Sequence, residues 1–400
     1  MTAQSAGPRG PRLDCPVIGV VGAGIMGSGI AQVALEAGHE VVLHDVDAAA
    51  LARGRDRIAD GLARRAARAV DDPAGIAAWI ALRIDGLRET EVLEQLADEA
   101  DAVIEAALES VALKEVIFRA LDAIAAPSTI LATNTSALSI ASIAAATRHP
   151  ERVVGLHFFN PAPVMALVEV VAGPATDPAI AAAAADLVTS WGKTAVRSAD
   201  SPGFIVNRVN RPFTLRALRL LETGLATVEA IDDAIRGAGF PLGPFELMDL
   251  TGIDVTFAAS TAIWEALGRP DRLRPSPIQE ELIAAGRLGR KTGEGFYGYP
   301  DGRRGSSARA TTGGRSPLEP GAILERIVLP IVDEAARAAV EGVATRADID
   351  IALRLGAAHP VGPFERAAEA GGLAVVAGRL NDLARDDPSF VPSEALETSA

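Results

Sequence analysis

The chain has 400 residues, 49% hydrophobic and 22% charged, a length and balance that call for two or three soluble domains. A formal net charge of -14 argues against nucleic acid as a partner, because phosphate backbones want a basic face. The single cysteine, Cys15, excludes an intrachain disulfide and a multi-cysteine metal site, charges interrupt every apolar run short of a membrane span, and a cytoplasmic location suits such a chain.

Residues 1–14, MTAQSAGPRGPRLD, lack the apolar core of a signal peptide and read as a flexible leader. PVIGVVGAGIMGSGIAQVALEAGHEVVLHDV then reads as strand, glycine turn, helix and strand. VIGVV is an apolar β-branched run ending at Gly22; apolar residues recur at helical spacing through Ile25, Ile30, Val33 and Ala34, and Gly38 ends the helix. The unit is βαβ, and its crossover implies parallel strands. A long Arg/Ala helix over 47–69 follows, then strand ADAVIEAAL, helix LKEVIFRALDAIAA, strand TILATNTS and helix SIASIAAATR. The strands RVVGLHFF and LVEVV close the series, joined by the turn NPAPVM.

Near Ser201 the pattern changes to helix after helix, beginning at PGFIVNRVNRPFTLRALRLLETG, so an α/β domain over 15–200 precedes a helical domain over 201–299. The Gly/Ser/Arg-rich stretch beginning PDGRRGSS has no periodicity and reads as a linker over 300–319. Beyond it, over 320–400, the first helical domain is echoed. PLGPFELMDLTGI at 241 returns as PVGPFERAAEAGGL at 360, an offset of 119, and IDDAIR at 231 returns as IDIALR at 349, an offset of 118. Pro212 pairs with Pro330 and Gly224 with Gly342 at the second offset. Two alanine-rich helical stretches resembling each other by chance would not reproduce G-P-F-E in register, so the pattern points to a duplicated domain.

Two stretches carry chemistry. Gly22, Gly24 and Gly27, with Ile25 and Met26 between the last two, form G-x-G-x-x-G directly after a strand and at the start of a helix. The first glycine permits the tight turn, the second lets backbone approach a pyrophosphate, and the third lets helix and strand pack closely. The phosphates then meet the helix N-terminus. Asp45 ends the second strand near the spacing of a ribose-binding acid, where a carboxylate accepts both ribose hydroxyls and repels a 2′-phosphate, so NAD is favoured over NADP. The structural alternative, a helix N-cap, falls to Asp45 or to Asp47.

GLHFFNPAPVMALVEVV sets His157, Asn160 and Glu169 in an apolar run. A histidine backed by a carboxylate is a usable general base, because the carboxylate fixes the tautomer and stabilises the imidazolium. By residue type alone, His157 is more often a satisfied core histidine and Asn160 a turn residue before Pro161.

GAGIMGSGIAQVALEAGHEVVLHD, NTSALSI, GLHFFNPAPVMALVEVV, DSPGFIVNR, GFPLGPFELMDLTG and GRKTGEGFYGY stand in the order and at the spacing of the L-3-hydroxyacyl-CoA dehydrogenase family. Over residues 16–299 the chain resembles its 3-hydroxybutyryl-CoA dehydrogenase branch. The resemblance implies a Rossmann-type NAD-binding domain followed by two all-α C-terminal-type domains. It implies reversible oxidation of a 3-hydroxyacyl-CoA thioester to the 3-oxo compound. His157 matches the base that takes the 3-hydroxyl proton and Glu169 its orienting carboxylate. Asn207 matches an asparagine near the reacting carbonyl, Ser136 a hydroxyl close to the substrate 3-oxygen, and Asn160 a polar wall of the pocket. Asp45 matches the ribose acid, while Glu109, Lys114 and Asn134 match residues lining the nicotinamide side. Arg68 matches a lysine that meets the CoA phosphates, although Gly61 stands where many members have serine, and Arg64 and Arg65 read equally as a solvated helix face.

Two rivals remain at the level of sequence. A carrier-protein thioester could replace acyl-CoA with every motif unchanged. A non-catalytic NAD-binding relative would have no reason to keep Ser136, His157, Glu169 and Asn207 together. In the second helical copy Asn207 falls on Glu325 and Arg208 on Arg326, and no counterpart of GRKTGEGFY follows. That copy therefore reads as structural. In single-copy relatives two such domains pack across a dimer interface, so a tethered copy implies a pseudo-dimeric monomer.

Overall fold

The structure is a computed structural model that describes residues 16–69, 72–307 and 318–398. The leader expected over 1–14, and Cys15, lie outside the described residues. The chain divides into two units between Asp200 and Ser201, where the strand pattern ends.

The first unit runs β1 (Ile18–Val21), α1 (Ile25–Glu36), β2 (Val41–His44), α2 (Ala48–Ala69), α3 (Pro73–Asp85), β3 (Leu87–Thr90), α4 (Leu93–Glu99) and β4 (Ala102–Glu105). It continues with α5 (Val111–Ile124), β5 (Ile130–Thr133), α6 (Ile140–Ala144), β6 (Val153–Phe158), β7 (Leu167–Ala172), α7 (Pro178–Ser190) and β8 (Thr194–Ala199). One sheet results, in the order β3-β2-β1-β4-β5-β6-β7-β8. β6 and β7 pair antiparallel, while the other neighbours are parallel. Strands β1, β2 and β4 are buried along their whole length, which is why they read as apolar runs, closed in β2 by His44 and in β4 by Glu105. The order reverses at β1, so a crevice opens beyond the carboxyl ends of β1 and β4, the usual ligand position in such sheets.

Elements that the sequence left unread lie at the rim. α3 has no fully buried residue and so no apolar stripe. β3 is Leu-Arg-Glu-Thr with only Leu87 buried, and β8 keeps Arg197 exposed; charged side chains on edge strands hide them from a hydrophobic pattern.

The second unit comprises α8 (Val206–Val209), α9 (Arg211–Glu222), α10 (Val228–Gly237), α11 (Pro244–Thr251), α12 (Ile253–Ala266) and α13 (Pro277–Ala284). After it come α14 (Pro320–Val340), α15 (Arg346–Gly356), α16 (Pro363–Glu369), α17 (Leu373–Ala384) and α18 (Ala395–Thr398). Both G-P-F-E motifs build the same joint. Asp232 accepts from Phe245 N and Glu246 N at 3.0 and 3.1 Å; Asp350 accepts from Phe364 N and Glu365 N at 2.8 and 3.2 Å. Each motif glutamate reaches back to its own glycine N–H, Glu246 to Gly243 and Glu365 to Gly362. A Cβ at Gly243 would stand 2.2 Å from Asp232 Cγ, and one at Gly362 2.5 Å from Asp350 Cβ, so the joint requires glycine. In the first stretch the tail 289–299 is gripped as well: Asp249 accepts from Phe296 N, Tyr297 N and the Tyr299 hydroxyl at 2.9–3.0 Å. Ala368 stands where the offset would put that aspartate.

The linker expectation needs correction at its start. Residues 300–302 form a 3-10 turn, Ser307 bridges to Tyr297 and donates its N–H to Glu229, and Arg304 pairs with Glu246. This part is folded onto the helical unit by specific polar contacts that composition does not reveal. Residues 308–317 lie outside the described ones.

Candidate active site

The glycine turn is built as the spacing requires. Gly22 has φ 102°, and a Cβ there would lie 2.7 Å from Ala106 O. At Gly27 a Cβ would lie 1.7 Å from Gly22 O, which only glycine avoids. At Gly24 a Cβ would meet nothing within 4 Å, so the backbone is open on the side where a pyrophosphate would approach. α1 starts there without a side-chain cap, Ile25 is exposed, and Met26 packs against the core. Asp45 Oδ2 accepts from Ala23 N at 2.9 Å, which ties the carboxylate to the turn. Asp47 is the residue that caps α2, accepting from Ala49 N at 2.9 Å. Arg57, which sequence reasoning passed over, donates to Ala23 O at 3.2 Å. The turn and acid together fit a dinucleotide.

A second cluster sits at the ends of β4 and β5. Glu105 and Lys114 are both 0% exposed, with Nζ 2.7 and 2.8 Å from the two carboxylate oxygens. Glu105 also accepts from Ala107 N and the Thr133 hydroxyl, each at 2.7 Å. Glu109 lies 3.5 Å from Lys114 Nζ and accepts from Thr135 Oγ1 (2.6 Å), Ser136 N (2.9 Å) and Ser136 Oγ (3.3 Å). Lys114, Glu109 and Ser136 are thus one connected chain. Asn134 Oδ1 accepts from Phe158 N at 2.8 Å, fixing the strand end beside His157. Glu105 was missed, although a glutamate closing an apolar strand nine residues before a lysine is a readable signal.

His157 and Glu169 are a directly opposed pair in the antiparallel β6–β7 register, so both side chains project from one face. Their Nδ1–Oε2 distance is 2.6 Å, and they are 6% and 0% exposed. A neutral imidazole donating from Nδ1 to a carboxylate carries its basic lone pair on Nε2. The connecting turn is held by Lys193, whose Nζ donates to Ala162 O and Met165 O at 2.6 and 2.9 Å; burial lowers that ammonium's pKa. α1 comes close to the turn at Gly29, where a Cβ would sit 3.2 Å from Pro163 Cδ.

The other expected residues lie on the β6–β7 turn, on α2 and on α8. Asn160 is exposed on the turn, and Arg68 is exposed on α2 with Arg64, while Arg65 lies 3.7 Å from Glu36. A Cβ at Gly61 would fall 1.9 Å from Gln32 Oε1, so that position is shaped around a neighbouring side chain. Asn207 belongs to the helical unit, half-buried on α8, with its carbonyl accepting from Arg211 Nε at 3.1 Å. Its counterpart Glu325 lies on α14 in a surface pair with Arg379 at 3.0 Å. The difference is local: Gly203 and Phe204 take φ 76° and 50°, turning the chain before α8, whereas Pro320–Val340 runs as one helix.

The sheet order, the open glycine turn with its tethered acid, and the buried histidine–carboxylate pair define an NAD-dependent oxidoreductase. The family model described as 3-hydroxyacyl-CoA dehydrogenase, NAD binding domain, matches residues 17–201. That of the 3-hydroxyacyl-CoA dehydrogenase C-terminal domain matches residues 203–299 and 321–398. The chain belongs to the 3-hydroxyacyl-CoA dehydrogenase family. It is 37% identical to the 3-hydroxyadipyl-CoA dehydrogenase of Escherichia coli K12, covering 90% of this chain and 92% of that one. It is 42% identical to the mitochondrial hydroxyacyl-coenzyme A dehydrogenase of Rattus norvegicus over 70% of this chain and 90% of that one. The crystal structure of 3-hydroxybutyryl-CoA dehydrogenase from E. coli K12 superposes with a TM-score of 0.87 at 34% identity, over 96% of this chain and 98% of that chain. Among the described residues, no helix is long and apolar enough to cross a membrane.

Proposed function

We propose that this enzyme interconverts an L-3-hydroxyacyl-CoA and the 3-oxoacyl-CoA, with a 3-hydroxybutyryl-CoA-like thioester as substrate, in the cytoplasm. The observation that carries the reading is the buried His157–Glu169 pair at 2.6 Å. His157 Nε2 takes the proton of the 3-hydroxyl, and Glu169 stabilises the imidazolium that forms. In the reductive direction the same nitrogen returns the proton. NAD, when bound, would accept the hydride that leaves substrate C3. Ser136 and Asn207 donate toward the 3-oxygen and the neighbouring carbonyl, Asn160 contributes a polar wall, and Arg68 meets the CoA phosphates. Asp45 holds the adenosine ribose, while Glu109, Lys114 and Asn134 orient the nicotinamide side. The acid–base pair should contribute roughly 10²–10⁴-fold in rate. Turnover of acetoacetyl-CoA with NADH tests the reading, with acetoacetyl carrier protein as competitor. Activity confined to the carrier-protein thioester would redirect the assignment, and activity with neither would refute it.

We also infer that the chain is a pseudo-dimeric monomer produced by domain duplication, with the second helical copy in a partner's place. In support, α14 packs against both α9 and α10. A short covalent tether between the copies gives an effective concentration of order millimolar, enough to outcompete a free subunit.

A further inference from the structure

α8 is a single turn of four residues. So short a helix does not hold its own place, because nucleation costs more than its few hydrogen bonds return. Its position is set by the side chains around Asn207, and two of these reach into the second helical copy. Arg208, 1% exposed, donates from Nε to Glu334 Oε1 at 3.0 Å, and its Nη1 lies 2.7 Å from Glu341 Oε2; Glu334 is on α14 and Glu341 caps its C-terminus. Glu334, also 1% exposed, receives Arg272 Nε at 2.8 Å, so one buried carboxylate holds two guanidiniums. Burial works to raise its pKa, yet Arg272 and Arg208 outweigh this and lower it. Asn210 Oδ1 lies 2.8 Å from His359 Nε2, in the loop between α15 and α16. That ring is wedged against Phe213 and Phe240. From the first copy itself, Arg211 holds the Asn207 carbonyl and lies 3.4 Å from Ser260 Oγ.

A copy kept only to cover apolar faces would have no need of buried charge at the contact. A buried ion pair is seldom more stabilising than apolar packing, and its best-attested use is fixing register. The register fixed here is that of the turn carrying Asn207.

We propose that the second helical copy is a working part of the active site, in which Glu334, Glu341 and His359 are positioning residues that set the place of Asn207. The inference rests on the reading of Asn207 as a catalytic group. Displacement of a catalytic group by an ångström costs on the order of 10²-fold in rate, so loss of one of several anchors should cost roughly tenfold.

Glu334→Gln leaves the buried Arg208 and the half-buried Arg272 short of charge and is expected to unfold the unit, so gentler variants serve better. His359→Phe keeps a ring and removes the contact to Asn210; His359→Gln keeps a donor; Glu341→Gln alters an acid that is 50% exposed. In the full-length enzyme, His359→Phe and Glu341→Gln should lower kcat roughly tenfold with NADH affinity unchanged, and His359→Gln should restore most of it. Built on Asn207→Ala, neither substitution should slow the enzyme further, since each acts through that side chain. Parental kcat in both single variants, or losses that multiply in full on the Asn207→Ala background, would overturn the proposal while leaving Asn207 its role. Parental kcat in Asn207→Ala would instead remove the reading beneath it, and this proposal with it.

Discussion

His157 and Glu169 face each other across the β6–β7 pair, Nδ1 to Oε2 at 2.6 Å, and each is buried. Their separation of twelve residues is a hairpin's length, so one turn both joins the strands and assembles the pair. His157→Ala is expected to lower kcat for acetoacetyl-CoA reduction by roughly 10²–10⁴-fold, with NADH affinity by fluorescence titration unchanged. Glu169→Gln keeps an acceptor but loses the charge, and should also be slow. Turnover close to parental in both variants would sink the acid–base assignment.

The three glycines of the turn should separate into folding and binding roles. Gly27→Ala drives a Cβ to 1.7 Å from the Gly22 carbonyl and is expected to destabilise by several kcal/mol, on the order of other severe backbone clashes. Gly24→Ala meets no protein atom within 4 Å and should keep its melting temperature while losing NADH affinity. Equal thermal losses in the two variants would show that Gly24 is a packing residue.

Asp45, bonded to Ala23 N, is expected to carry the choice of cofactor. The parent should use NADH in strong preference to NADPH, and Asp45→Ser should narrow the ratio of kcat/KM values by removing both the ribose acceptor and the repulsion. Comparable efficiencies with the two cofactors in the parent would refute this.

His359 predicts an acid-sensitive contact between the two helical copies. Burial, with help from Arg366, pushes its pKa down to about 3 from an ordinary 6.5. Between those values the unfolded chain binds a proton that the folded one does not. Stability is therefore full above about pH 6.5 and lost as pH falls toward 3. His359→Phe cannot titrate, so its urea midpoint should fall less than the parent's between pH 7.5 and pH 4.5, on the order of that window. Parallel declines would place the acid lability elsewhere.

Light scattering on the full chain should give a monomer's mass. Truncation after Pro300 removes α14 from its seat on α9 and α10 and should cause dimerisation or aggregation. A full-length dimer joined through the first helical domain, or a truncated chain that stays a soluble active monomer, would contradict the pseudo-dimer.

The sequence by itself determined what repeats locally or rests on short-range chemistry. The β1–turn–α1 unit was legible because period and glycine spacing coincide, and the His157–Glu169 pair because a short turn leaves paired strands little choice of register. The echo of G-P-F-E was legible too, since both copies need glycine against an aspartate from the preceding helix. Tertiary structure alone decided the rest. β3 and β8 exist as strands because a neighbour offers them a ladder, not because their own residues demand one. Glu105 and Lys114 become a buried pair only once β4 and α5 bring them together. Whether P-G-x-I opens into a turn, as at 202–205, or runs on as helix, as at 320–323, depends on packing more than on the shared motif. The contact of Arg208 with Glu334 spans 126 residues, and no local pattern can name such a partner. Spacing reports the forces that act along the chain, whereas the choice of a distant partner is fixed only when packing closes the long loop between them.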